Sequence, residues 1–234
     1  MARIIPDWLA FWDQPHFIYV NARHKDVHYL LIAKEIAALV PGPDARVLDY
    51  GCGEALHADL VADAAGELVL CEAAPSVLDG LAKKFAAHPK IRAVAPHEIA
   101  KLPAHSFDLI VMHSVVQYMT PAGADILLAL FHRLLKPGGV LVLGDVVQPQ
   151  TAAATDAFAL LRFGHANGFL FAAVWGLIRT VLSDYWRLRS HLGLTRYDNK
   201  AVIEKFYAAG FTTERAPVNI GHNQERRTYY ARPR

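Results

Sequence analysis

Short apolar runs alternate with amphipathic stretches through the middle of the chain. Arg46–Asp49 is a short β run leading into a glycine turn, and Leu56, Leu60 and Val61 then share one side of a helix that stops at Gly66. Glu67–Cys71 predicts a second strand. Ser76 opens a helix with Val77, Leu81 and Phe85 at four-residue spacing, and Ile91–Val94 is a third strand. Phe107–His113 is a fourth, continuous and apolar, as a strand covered on both faces must be. Thr120 and Pro121 read as a cap and a first-turn proline for a helix carrying Leu127, Leu130, Phe131 and Leu134. Pro137-Gly138-Gly139 breaks it, and Val140–Leu143 is a fifth strand. This rhythm implies a parallel sheet with helices on both faces.

The flanks differ. Residues 4–25 are aromatic and polar, and a helix is expected from Asp26, with Tyr29, Ile32, Ile36, Leu39 and Val40 at helical spacing before Pro41. Residues 147–196 interrupt the alternation with a helical stretch rich in Phe, Leu, Trp and Arg, placed where a lid would be. A helix from Asp198 to Gly210 and two strands near Thr212–Ala216 and Thr228–Ala231 follow, joined by the loop 217–227. The expected organisation is one domain: a cap and helix (1–40), a core (45–146), a helical insertion (147–196) and a terminal helix with a strand pair (197–234).

Composition narrows the classes. With 53% hydrophobic and 20% charged residues the chain has ample material for a core, and a net charge of +2 gives no electrostatic case for nucleic acid. Two cysteines, Cys52 and Cys71, cannot frame a disulfide scaffold and suit a reducing compartment. The first residues, MARIIPDWLAFWDQPHF, lack the apolar core of a signal peptide. The longest apolar run, Gly168 to Ile178, falls short of the roughly 20 residues a membrane span needs. A cytoplasmic address is the simplest expectation.

The chemistry concentrates at Val47-Leu48-Asp49-Tyr50-Gly51-Cys52-Gly53-Glu54-Ala55. A strand ends near an acid, two glycines let the backbone approach a ligand, and a helix N-terminus follows. Glu72 closes the second strand about twenty residues on, where a carboxylate can bind ribose hydroxyls in an open α/β sheet. A dinucleotide-binding oxidoreductase uses the same device, but its third glycine would fall at Leu56, so that fingerprint fails.

VLDYGCGEA, LCEAAP, LPAHSFDLIVMHSVVQYM and LLKPGGVLVLGD, in this order across residues 45–146, resemble the successive motifs of class I S-adenosylmethionine-dependent methyltransferases. AGF near residue 210 resembles that family's C-terminal end. The resemblance implies a Rossmann-like, open, mostly parallel seven-stranded sheet with an antiparallel C-terminal strand, and S-adenosylmethionine as methyl donor, leaving S-adenosylhomocysteine. It assigns Asp49, Gly51 and Gly53 to the loop that holds the donor's amino-acid end, Glu72 to the ribose and Glu98 to the adenine amino group; Cys52 and Ala73 beside them, and His113 and Ser114 at the carboxyl edge of the fourth strand, are further candidates for cofactor binding. One departure is Ala55, where the family commonly has a third glycine.

His113 is the leading candidate for a base, since imidazole titrates near neutrality. Asp145, Tyr19, His24, His16, His222 and Asn223 are further polar groups within reach of such a pocket, and Phe169 and Trp175 are its apolar candidates from the insertion. The histidines are scattered without metal-ligand spacing, so no metal is expected. Residues 158–191 combine aromatics with Arg162, Arg179, Arg187 and Arg189. They read as a lid packed on the core or on a second copy in a homodimer, or as an apolar acceptor tunnel or in-plane membrane helix. The expected acceptor is a small or lipid-like molecule, methylated on oxygen or nitrogen. A protein acceptor and a non-catalytic cofactor-binding module are the alternatives, and HSVVQY after the fourth strand does not suit a nucleic-acid substrate.

Overall fold

Strands β1 (Arg46–Tyr50), β2 (Glu67–Cys71), β3 (Ile91–Val94), β4 (Phe107–His113), β5 (Leu135–Val146), β6 (Phe211–Arg215) and β7 (Arg227–Pro233) form one sheet in the order β3-β2-β1-β4-β5-β7-β6. The computed structural model describes residues 4–15, 18–181 and 184–234. Strands β1 to β5 pair in parallel, and β7 runs antiparallel to both β5 and β6. This is the Rossmann-like arrangement that the sequence resemblance implies.

Alternation along each strand builds two cores. Leu48, Ile110 and Leu141 face one layer with Leu127 and Phe131 of α6 (Pro121–Leu134) and Phe206 of α10 (Asn199–Ala208). Val47, Leu109, Val111 and Val142 face the other, against α2 (Ala22–Ala37), α3 (Ala58–Ala64) and α4 (Pro75–Lys84). Each such fully buried aliphatic side chain contributes ~1.5–3 kcal/mol. Register sets the functional edge: Asp49 lies opposite Leu70 and Val111, and His113 opposite Gly144, so β1, β2, β4 and β5 end together.

Several boundaries differ from expectation. Helix α2 begins at Ala22, four residues earlier than expected, because the Asn21 side chain accepts the His24 N–H at 2.8 Å and caps it. The N-terminal stretch holds a helix of its own, α1 (Pro6–Trp12), whose fully buried Trp8 packs on Tyr118. Helix α3 starts at Ala58, so Leu56 precedes it, and α4 starts at Pro75, one residue before Ser76. Pro137-Gly138-Gly139 does not separate helix from strand. It lies inside β5, which starts at Leu135, where the β4–β5 register shifts and Gly138 takes φ +81°.

Helix α5 (Pro96–Ile99) is a short turn between β3 and β4. The insertion folds into α7 (Ala153–Ala166), α8 (Leu170–Val181) and α9 (Asp184–His191). Gly164 lets α7 lie close to Ala173 of α8. Among the described residues no helix is long and apolar enough to cross a membrane.

Candidate functional site

The turn after β1 is built around two glycines that nothing else could replace. Gly51 has φ +75°, and a Cβ there would lie 2.3 Å from the Val115 side chain; Gly53 has φ +58°, and a Cβ would lie 2.5 Å from the Tyr29 hydroxyl. Glu72 braces the turn. One oxygen accepts the Gly53 N–H at 2.9 Å, and the other accepts Ala73 N–H at 2.6 Å and Ala74 N–H at 2.8 Å. Burial raises its pKa, and these three donors act in the opposite direction. Three of a carboxylate's roughly four lone-pair positions are thus taken. That leaves room for one ribose hydroxyl rather than the two expected from sequence, unless a backbone donor gives way.

Asp49, Gly51, Cys52, Gly53 and Glu72 line a cavity of about 160 Å³, and His113, Ser114 and Val115 line it from the β4 side. Asp49 sits deep in it. Burial first, and the neighbouring Glu72 charge second, push its carboxyl up to about 7. Cys52 is buried, with burial raising its thiol well above the ordinary value, so it is a wall rather than a nucleophile. Ala55 occupies φ +42°, a region that glycine enters freely. Its methyl is buried in the α3 core, and that burial, worth ~0.8 kcal/mol, offsets part of the ~1–2 kcal/mol backbone cost. The third glycine of the family pattern is therefore replaceable here. Glu98 is outside this cavity's lining; its carboxylate accepts the Ala95 N–H at 2.8 Å at the start of α5.

The β4 and β5 ends carry strain that marks them out. Ser114 has φ +56° and Asp145 φ +61°, both left-handed, and the Ser114 hydroxyl donates to Asp145. Asp145 does not line the cavity but joins a buried ion network. Arg226 donates to Asp145 at 2.7 Å and to Asp156 of α7 at 3.2 Å, while Arg189 of α9 donates to Asp156 at 2.7 Å. Asn223, in the loop before β7, donates to Asp156 at 2.8 Å. The sequence placed Asp145 and Asn223 near a substrate; the structure uses both to tie the insertion to the sheet. His113 lines the cavity, and its Nε2 donates to the Ile220 carbonyl at 3.1 Å.

Above the turn, rings from α2, the insertion and the last loop converge. His24 is stacked on Phe169 at 4.9 Å and His222 on Phe163 at 4.6 Å, with Tyr19 5.6 Å from His24. Burial drives the pKa of His24 down to about 4 and lowers that of His222, so both rings are neutral at pH 7. Tyr19 lines the cavity with its hydroxyl pushed up to about 12 by burial. Phe169 is therefore interior, a support for His24 rather than part of an outward apolar face. Trp175 is 64% exposed on α8 and lies away from the cavity. His16 lies outside the described residues.

Sequence reasoning missed Tyr29 as a site residue and His28 altogether. The Tyr29 hydroxyl accepts the Glu54 N–H at 3.0 Å, fixing the far side of the turn, and His28 lines the cavity beside it. Helical periodicity placed Tyr29 on the inner face of α2 but gave no means of telling core from cavity. Among the described residues, no group of three or more His, Cys, Asp or Glu side chains is arranged to hold a metal ion.

An open sheet whose first βα turn is braced by the acid of its second strand defines an α/β cofactor-binding domain. Residues 47–139 match the family described as Methyltransferase domain. The nonribosomal peptide synthetase CymA of Salinispora arenicola is 32% identical over 139 residues, covering 56% of this chain; the chain spans only 2% of that protein. An uncharacterized methyltransferase of Synechocystis, sll0829, is 28% identical over 172 residues, 74% of each chain. The fold is also that of magnesium protoporphyrin IX methyltransferase from Synechocystis, solved with bound SAH, with a TM-score of 0.59 at 17% identity over 97% of this chain and 94% of that one.

Proposed function

We propose that the protein transfers the methyl group of S-adenosylmethionine to oxygen or nitrogen of a small, largely hydrophobic or lipid-like acceptor. One observation carries this reading: a single cavity joins the Glu72-braced turn to a roof of Trp12, Tyr19, Tyr29 and Tyr118. In it Asp49, Gly51, Gly53 and Glu72 would hold the donor, which when bound supplies a methyl already activated on a positively charged sulfur. The chain's own contribution is enclosure and alignment. The two glycines bring backbone against the ligand, Val115 and Tyr29 stop the turn from shifting, and the aromatic roof excludes water. Holding two reactants in line contributes ~7–11 kcal/mol. Reduced, buried Cys52 and Cys71 support a cytoplasmic address, and the near-neutral net charge supports a small-molecule over a nucleic-acid acceptor.

Calorimetry with S-adenosylhomocysteine tests the reading, and pH sharpens it. Asp49 titrates near 7 in the free protein, so a ligand ammonium beside it favours the ionised form and expels a proton. Affinity should therefore rise with pH up to about 8, and at pH 6.5 binding should release part of a proton, read from heats in two buffers of different ionisation enthalpy. Binding heats that do not depend on the buffer would remove Asp49 from the donor's amino-acid end.

A membrane-facing role for α8 is supported by its outer stripe. Phe171, Val174, Trp175 and Ile178, at i, i+3, i+4 and i+7, are all exposed, Phe171 by 92%, and Arg162, Arg179 and Arg187 are exposed around them. The protein is expected to sediment with anionic but not zwitterionic vesicles, and Phe171→Asp with Trp175→Asp should abolish this. If the double variant instead converts a dimer to a monomer with vesicle binding unchanged, the stripe is a homodimer contact.

A further inference from the structure

Around the roof of the cavity, His28 lies 5.9 Å from His222, 6.1 Å from His24, 5.4 Å from Tyr19 and 5.7 Å from Tyr29, ring to ring. The neighbouring histidines are already committed. His24 Nδ1 accepts the Val20 N–H at 3.2 Å, and His113 Nε2 donates to Ile220. His28 differs. It is partly buried, it lines the cavity, and its Nδ1, shielded from solvent, has no hydrogen-bond partner. Buried polar atoms are nearly always satisfied, and an unmet one beside a ligand cavity points to a ligand atom.

The charge environment says which kind. Burial holds the His28 ring well below its ordinary pKa, and His222, His113 and His24 push in the same direction. No carboxylate acts on it to favour the charged form; Glu54 acts on Tyr19 and Tyr29, and Asp145 and Asp156 on His222. The ring is neutral, and in its Nε2–H tautomer Nδ1 offers a lone pair to a donor. An imidazole this hard to protonate is a better hydrogen-bond acceptor than a base, so its role is recognition. Of the cavity's carboxylates, Asp49 and Glu72 sit at the β1–β2 end and belong to the methyl donor in the reading above, on which this inference rests, while Glu54 is paired with Lys25.

We propose that His28 is the polar anchor of the acceptor subsite, and that the subsite takes a neutral hydroxyl on an aromatic or otherwise apolar body. The hydroxyl donates to Nδ1 while Tyr19, Tyr29 and Trp12 enclose the rest. An ammonium finds no counter-charge beside His28. A carboxylate finds no donor at Nδ1 and enters a cavity that is already lined by three acids.

The test uses protein saturated with S-adenosylhomocysteine and three probes of similar size, phenol, benzylamine and benzoate, at millimolar concentration. Nitrogen resonances of labelled histidine and calorimetry are the readouts. Phenol should shift the His28 Nδ1 resonance and bind about tenfold more tightly than either charged probe. His28→Phe keeps the ring volume and should lose this preference; His28→Asn sets an amide atom near the Nδ1 position and should retain it. Equal binding of all three probes, an unmoved His28 resonance with phenol bound, or an unchanged preference in His28→Phe overturns the proposal. S-adenosylhomocysteine affinity in the same samples separates the two levels. Its absence defeats the methyl-transfer reading, whereas its presence without a preference for phenol defeats only the assignment of His28.

Discussion

Replacing Glu72 with alanine should weaken binding of S-adenosylmethionine and S-adenosylhomocysteine by at least about 100-fold while the protein stays folded. The carboxylate does two things that alanine cannot. It accepts the N–H groups of Gly53, Ala73 and Ala74, which sets the turn, and it keeps a free lone pair facing the cavity. Hydrogen bonds to a charged group contribute ~1.5–3 kcal/mol each, and loss of one to the ligand together with a loosened turn amounts to ~3–4 kcal/mol. At about 1.4 kcal/mol per decade that is 100-fold or more. Glu72→Gln retains one acceptor oxygen and should lose about tenfold. Titration calorimetry on the three proteins decides it, with circular dichroism to confirm folding. Wild-type affinity in Glu72→Ala would remove the basis of the cofactor site.

The second large effect concerns stability. Arg226 stands between Asp145 and Asp156 with all three side chains 11–16% exposed. Removing this largely buried cation leaves Asp145 without its counter-charge and Asp156 with Arg189 alone, at a cost of ~3 kcal/mol. Arg226→Ala should therefore lower the melting temperature by roughly 10 °C, since 1 kcal/mol corresponds to about 2–4 °C in a chain of this size. Arg226→Leu combined with Asp145→Leu should lose less than Arg226→Ala alone, because apolar packing replaces that pair while Asp156 keeps Arg189. A shift below about 2 °C for Arg226→Ala would mean that water reaches the network and that it does not hold the insertion down.

Legibility followed the range of the forces involved. Strands β1 to β4 were readable almost to the residue because each is a short apolar run whose neighbours switch period, and parallel pairing rewards continuous burial. The Gly51, Gly53 and Glu72 constellation was readable because backbone clearance and strand-end carboxylates leave sequence marks at fixed spacing. The start of α2 was not, since one side-chain hydrogen bond from Asn21 decides it. Asp145 was placed at the correct edge, but its ion pair was not legible. Arg226 lies 81 residues away in sequence, and nothing local reveals that pairing. Phe169 and Trp175 look alike in an apolar helix, yet one is 3% and the other 64% exposed. Which side of α8 faces inward depends on its packing against α7 and α9, and His28 became visible only when His24, His222 and Tyr19 were seen around it.

The place of β7 in the sheet bears on how the chain is made. Its partner β5 ends at Val146, whereas β7 begins at Arg227. At synthesis rates of about 5–20 residues per second, β5 waits roughly 4–16 seconds on the ribosome before its antiparallel neighbour exists. During that interval Leu141 to Val146 present an apolar, unpaired edge, the kind of surface that recruits strands from other chains. The helical insertion, α10 and β6 are translated within the same interval and emerge in time to shelter that edge.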